Sequence, residues 1–85
     1  MKIFETSKFS KLRKRIKGRA EIEALKSAVL EIQKNPQTGK KLKGELEHLG
    51  SYAYSVKGQA RRLVYKLEKD AVILFSFGPR QGIYK

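Results

Sequence analysis

The chain is expected to adopt an α+β fold, with an N-terminal strand and a two-helix hairpin packed on one face of a mostly antiparallel sheet. Three features carry that expectation. Apolar residues recur three and four apart between residues 9 and 32, they recur at period two or in short unbroken runs after residue 50, and those later runs are separated by turns bearing Gly or Asp.

In chain order, Lys2 to Glu5 reads as a short strand, and Thr6 and Ser7 follow as candidate N-caps. The helix they would open places Phe9, Leu12 and Ile16 on one side, with its other faces nearly all basic. Gly18 interrupts the pattern. A second helix carries Ile22, Leu25, Val29 and Ile32 as a stripe with Ala28 beside it; Glu21 and Glu23 sit near its positive N-terminal end, Lys34 lies in its last turn, and Asn35-Pro36 stops it. Residues Gln37 to Gly44 hold turn residues around a lysine cluster and read as a basic loop, which Leu42 and Leu46 could pin to the core.

Three strands are then expected in "SYAYSV", "ARRLVYKL" and "AVILFSF", joined through Lys57-Gly58-Gln59 and Glu68-Lys69-Asp70 as an antiparallel meander. The last run is apolar on both faces, which suits a central strand. In it Phe75 and Phe77 should anchor the strand in the core, with Gly78-Pro79 turning the chain outward. The helices would cover one sheet face and leave the other free for a site.

Length and composition narrow the function. With 85 residues the chain has room for a single domain, residues 1–85, with a modest core. Its 20 Lys and Arg against 8 Asp and Glu give a formal charge of +12, which favours nucleic acid, an acidic protein or an anionic membrane as partner. There is no cysteine, so disulfides and thiolate metal sites are excluded. No apolar run approaches the roughly 20 residues of a membrane span, and the first residues lack a signal-peptide core, so a soluble, cytoplasmic protein is expected. At 40% hydrophobic residues the chain should fold.

Several chemistries can be set aside. His48 is the only histidine and no carboxylates recur at ligand spacing, which argues against a metal centre and against a Ser-His-Asp arrangement. Gly-rich nucleotide-binding patterns are missing, so no cofactor is expected. Arginine, lysine and tyrosine remain. Arg61 and Arg62 are adjacent on a strand and must point to opposite faces; with Leu63, Tyr65 and Leu67 toward the helices, Arg62, Val64 and Lys66 take the open face. Arg80 follows the next strand, Tyr84 is four residues on, and Lys40, Lys41 and Lys43 could ring the same face. Each has a plainer reading: Arg62 solvated or paired with a carboxylate such as Glu68, the lysines serving solubility, Tyr84 fastening a chain end.

The segment "LVYKLEKDAVILFSFGPRQGIY" resembles the closing half of the RelE/ParE family of toxins from bacterial type II toxin-antitoxin modules. Nearly the whole chain fits that family's plan. Its basic turn appears as Thr38 to Gly44, its Arg-apolar-apolar-Tyr signature as Arg62-Leu63-Val64-Tyr65, and its closing pattern as Pro79-Arg80 with Tyr84. The resemblance implies a metal-independent, ribosome-dependent messenger RNA endoribonuclease that inhibits translation. In that role Arg62 and Arg80 would hold the scissile phosphate, and Tyr84 would stack on a base or take part in proton transfer. Lys40, Lys41 and Lys43 would neutralise ribosomal or messenger phosphates, with Arg61 and Lys66 as further nucleic-acid contacts. It also implies a cognate antitoxin that blocks the basic face in a toxin-antitoxin hetero-oligomer. Pro79 stands where several relatives have histidine, so imidazole catalysis is absent at that position. Two other readings stay open: a ParE-like inhibitor of DNA gyrase, and a basic RNA- or protein-binding module without turnover.

Overall fold

The computed structural model describes residues 2–35, 40–41 and 49–79. Strand β1 (Lys2–Glu5) leads into helices α1 (Ser7–Lys14) and α2 (Arg19–Lys34). Then come strands β2 (Lys40–Lys41), β3 (Gly50–Val56), β4 (Gln59–Glu68) and β5 (Ala71–Pro79). The five strands form one sheet in the order β1-β5-β4-β3-β2. All neighbours pair antiparallel except β1 and β5, which run parallel. The expected α+β architecture is present, and β5, apolar on both sides, lies inside the sheet.

Local chemistry accounts for the element ends. The Thr6 side chain accepts a hydrogen bond from the Phe9 amide at 3.2 Å, which caps α1. Helix α2 starts after Gly18 without a side-chain cap, with Glu21 in its first turn against the positive end of the helix dipole. The β3–β4 hairpin turns on two residues, Lys57 at φ 50° and Gly58 at φ 84°, and two positive φ values are what a primed turn needs to match the twist of its strands.

The core lies between the helices and one sheet face. Phe9 from α1 and Leu25, Ala28 and Ile32 from α2 are buried against Leu63, Tyr65, Val72, Leu74 and Phe77. The α2 stripe is rotated from the one expected: Ala28 is buried, Val29 is half-buried and Ile22 is 46% exposed. A small alanine lets the helix sit close to the sheet, and the stripe's edge is left outside.

The pairing of β4 with β5 contains a bulge. Val64 is opposite Ser76 and Tyr65 is opposite Leu74, so Phe75 has no partner. The reason is visible in the side chains. Val72 and Leu74 face the helices, and strict alternation would next send Ser76 into the core and Phe77 out. The extra residue reverses that order. Phe77 turns inward and meets Phe9 edge-to-face, with ring centroids 5.1 Å apart. Thr6 fastens the bulge, its amide donating to the Leu74 carbonyl at 3.0 Å and its hydroxyl placed 3.1 Å and 3.0 Å from the Leu74 and Phe75 carbonyls.

Three expectations are corrected. Lys40 and Lys41, expected in a loop, form a two-residue edge strand against Ser51 and Gly50. Such a strand has too few residues for alternation to reveal it. Gly78 and Pro79 do not turn the chain outward; they continue β5, opposite Arg62 and Arg61. Phe75 is half-buried while Phe77 is the core residue, as the bulge requires. Leu42 and Leu46 lie outside the described residues.

Candidate nucleic-acid interface

On the face away from the helices, Ser51, Val64 and Ser76 form a row across β3, β4 and β5. All three are buried, so the middle of this face is not the free surface expected of it. Arg62 is part of the reason. Its guanidinium leans along the strand over this row, and Nη1 donates to the Ser51 hydroxyl at 3.3 Å. Exposure begins at Ala53, directly opposite Arg62, and continues beyond it at Ser55 and Ala60.

The charge around Arg62 differs from that around the other described cations with side-chain partners. Arg13 binds Glu5 through two nitrogens, Arg19 meets Glu23 at 3.4 Å, Arg61 meets Glu21 at 3.0 Å, and Lys66 meets Glu68 at 3.0 Å. Among the described residues, Arg62 has a neutral hydroxyl as its partner and no carboxylate. A half-buried guanidinium that no described carboxylate neutralises is suited to an external anion, because four of its five N–H donors remain uncommitted by that bond.

The two neighbouring arginines are not brought together. Arg61 points to the helix face, where its side chain is 17% exposed, held by Glu21 of α2 and by Gln59 at 3.3 Å. Beside it the Tyr54 hydroxyl is buried without a hydrogen-bond partner among the described residues, as is Arg61 Nε. Burial pushes the Tyr54 phenol up to about 12; the Arg61 cation pulls it down and the Glu21 carboxylate pushes it up. Sequence reading assigned Glu21 to the helix dipole alone. Its ion pair with Arg61 depends on where α2 begins relative to β4, which no local pattern reports.

Lys66 is on the same face as Arg62 but is joined to Glu68. Lys40 pairs in register with Ser51 and Lys41 with Gly50, which puts the β2 backbone beside the row that holds Arg62. Lys43, His48, Arg80 and Tyr84 lie outside the described residues, so the structure does not relate them to Arg62. Among the described residues no group of three or more His, Cys, Asp or Glu gathers as a metal site. No described helix is long and apolar enough to cross a membrane.

The opposite side of the molecule carries an apolar groove of about 620 Å³ between β1, α1 and α2. Its walls include Ile3, Phe9, Val29 and Leu74, and its rim has the exposed Phe4, Ile22 and Leu30. Strand β1, at the sheet edge, runs along it.

Residues 3–85 match the family model described as the ParE-like toxin of type II bacterial toxin-antitoxin systems. The chain belongs to that family. Among solved structures, this ParE-like chain is similar to the YoeB/ParE toxin from Agrobacterium tumefaciens, with a TM-score of 0.77 at 15% identity, covering 94% of this chain and 99% of the other. It is similar to the toxin in the intact RelBE toxin-antitoxin complex of E. coli (TM-score 0.74, 20% identity, coverage 94% and 96%). The isolated E. coli RelE toxin gives a TM-score of 0.73 at 22% identity, with coverage of 98% and 89%. At these identities the likeness establishes a shared fold. No curated protein matches the sequence.

Proposed function

We propose that this ParE-like toxin is a ribosome-dependent messenger RNA endoribonuclease, and that Arg62 is one of the groups that hold the scissile phosphate. The observation that carries the reading is the charge of Arg62, half-buried on the face away from the helices and paired, among the described residues, with a hydroxyl rather than a carboxylate. A planar guanidinium fork in that setting suits a phosphate that gains negative charge in the transition state. The fold likeness to RelE, YoeB and YafQ toxins supports the same reading.

In the proposed reaction the RNA's own 2′-oxygen attacks the adjacent phosphorus as the bond to the 5′-oxygen breaks. One proton leaves the 2′-hydroxyl and another reaches the departing oxygen. Arg62 and Arg80 bind the non-bridging oxygens, Tyr84 and a lysine from 40, 41 and 43 are the candidate proton carriers, and no metal takes part. Pro79 carries no proton, so placement of the message on the ribosome must contribute much of the acceleration. The partner is a cognate antitoxin. RelBE is a toxin-antitoxin complex, and the groove beside β1 suits an amphipathic acidic segment facing a chain of net charge +12.

Primer extension on a translated reporter message after brief induction tests the reading. Breaks are expected with the wild type and lost with Arg62→Ala or Arg80→Ala, and an untranslated copy of the message should stay intact. Growth arrest with intact messages, together with inhibited supercoiling by purified gyrase, would overturn it.

A further inference from the structure

We infer that Ser51 is a positioning residue for Arg62, setting the direction in which its guanidinium is presented to the RNA phosphate. The inference rests on the proposed role of Arg62. The sheet itself gives that side chain little lateral support: its cross-strand neighbours are Ala53 on β3 and Gly78 on β5, a methyl group and no side chain. Neither neighbour has a side chain long enough to hold the guanidinium in one direction. The described contact that restricts it is diagonal, from Nη1 to the Ser51 hydroxyl at 3.3 Å.

Ser51 is itself well fixed. It is 2% exposed and, although near the start of β3, has a strand on each side, opposite Val64 on β4 and opposite Lys40 on β2. The bond therefore draws the guanidinium toward the β2 side of the face, where the backbone of the lysine-bearing strand runs. It engages one nitrogen and, among the described residues, leaves the Nε–Nη2 edge uncommitted for a two-point contact with phosphate oxygens. An aligned donor pair needs no reorientation when charge builds on phosphorus, so the contribution of Ser51 belongs to the rate rather than to affinity.

The test has two arms. The first follows the Arg62 guanidinium of the free toxin by ¹⁵N NMR in the wild type, Ser51→Ala and Ser51→Thr. Restricted motion is expected in the wild type, averaged motion in Ser51→Ala and restored order in Ser51→Thr. The second measures single-turnover cleavage of a ribosome-bound message. Ser51→Ala should slow cleavage roughly tenfold at unchanged half-saturation, and Ser51→Thr should recover most of the rate. Ser51→Cys, close in volume with a weak acceptor, repeats the comparison if Ser51→Ala unfolds. Unaltered Arg62 motion in Ser51→Ala, or cleavage by that variant at the wild-type rate, overturns the inference. A wild type that cuts nothing overturns the nuclease reading, and the NMR arm still decides whether Ser51 holds Arg62.

Discussion

Tyr54 and Arg61 show what a single buried polar atom does to this small protein. The Tyr54 hydroxyl has no partner among the described residues and its pKa is raised to about 12, with burial as the main cause. A raised folded-state value means that the neutral phenol is the form the fold accepts. Its contribution is therefore complete below about pH 10, the unfolded value, and is lost as pH rises toward 12. Chemical denaturation of the wild type across that window should show falling stability, and Tyr54→Phe should remove that component. At pH 7 the same substitution should leave stability equal or higher, within about 1 kcal/mol, because it removes an unpaired buried group. A large loss at pH 7 would show that the hydroxyl has a partner after all. The opposition of Arg61 and Arg62 was legible in the sequence, since neighbours on a strand must diverge. The serine that accepts a hydrogen bond from Arg62 was not, because that contact depends on the register between β3 and β4.

At the scale of elements, two joints hold the architecture. Thr6 caps α1 and also grips the carbonyls at the β5 bulge, so Thr6→Ala should cost about 1–2 kcal/mol, the upper part of the range for an N-cap, with Thr6→Ser recovering much of it. Thermal melts of the two variants decide this, and equal melting points would deny the double role. Gly50 lies under the Tyr65 ring, where an added Cβ would come within 2.9 Å of Cζ. Tyr65 is buried and its ring cannot swing into solvent, so Gly50→Ala should destabilise by about 1–3 kcal/mol in urea unfolding. The longer elements were readable from periodicity and turn chemistry. Strand β2 and the parallel partner of β1 were not, since both are defined by pairing between distant segments. The bulge left a trace that alternation alone misreads: Ser76 falls where a core residue is due, one position before Phe77.

For the whole molecule, a charge of +12 makes binding to RNA a question of salt as much as of sequence. Binding to a single-stranded oligonucleotide should weaken with salt at a slope near −2 to −3, as for roughly three to four phosphate contacts. Arg62→Ala should flatten that slope by about 0.7, the share of one contact. An unchanged slope would put Arg62 off the path of the strand and weaken its assignment to the phosphate.

Sheet order also bears on how the protein comes into being during synthesis. Strand β5 joins β1 on one side to β4 on the other, yet it follows both in the chain. Until β5 emerges, β1 has no partner strand, and α1 lacks both the carbonyls that Thr6 holds and the Phe77 ring against Phe9. A nascent chain stalled before residue 71 can form the β3–β4 hairpin and the two helices but cannot close the core between them. Closure of the core thus waits for β5, the strand that ties the N-terminal segment to the hairpin.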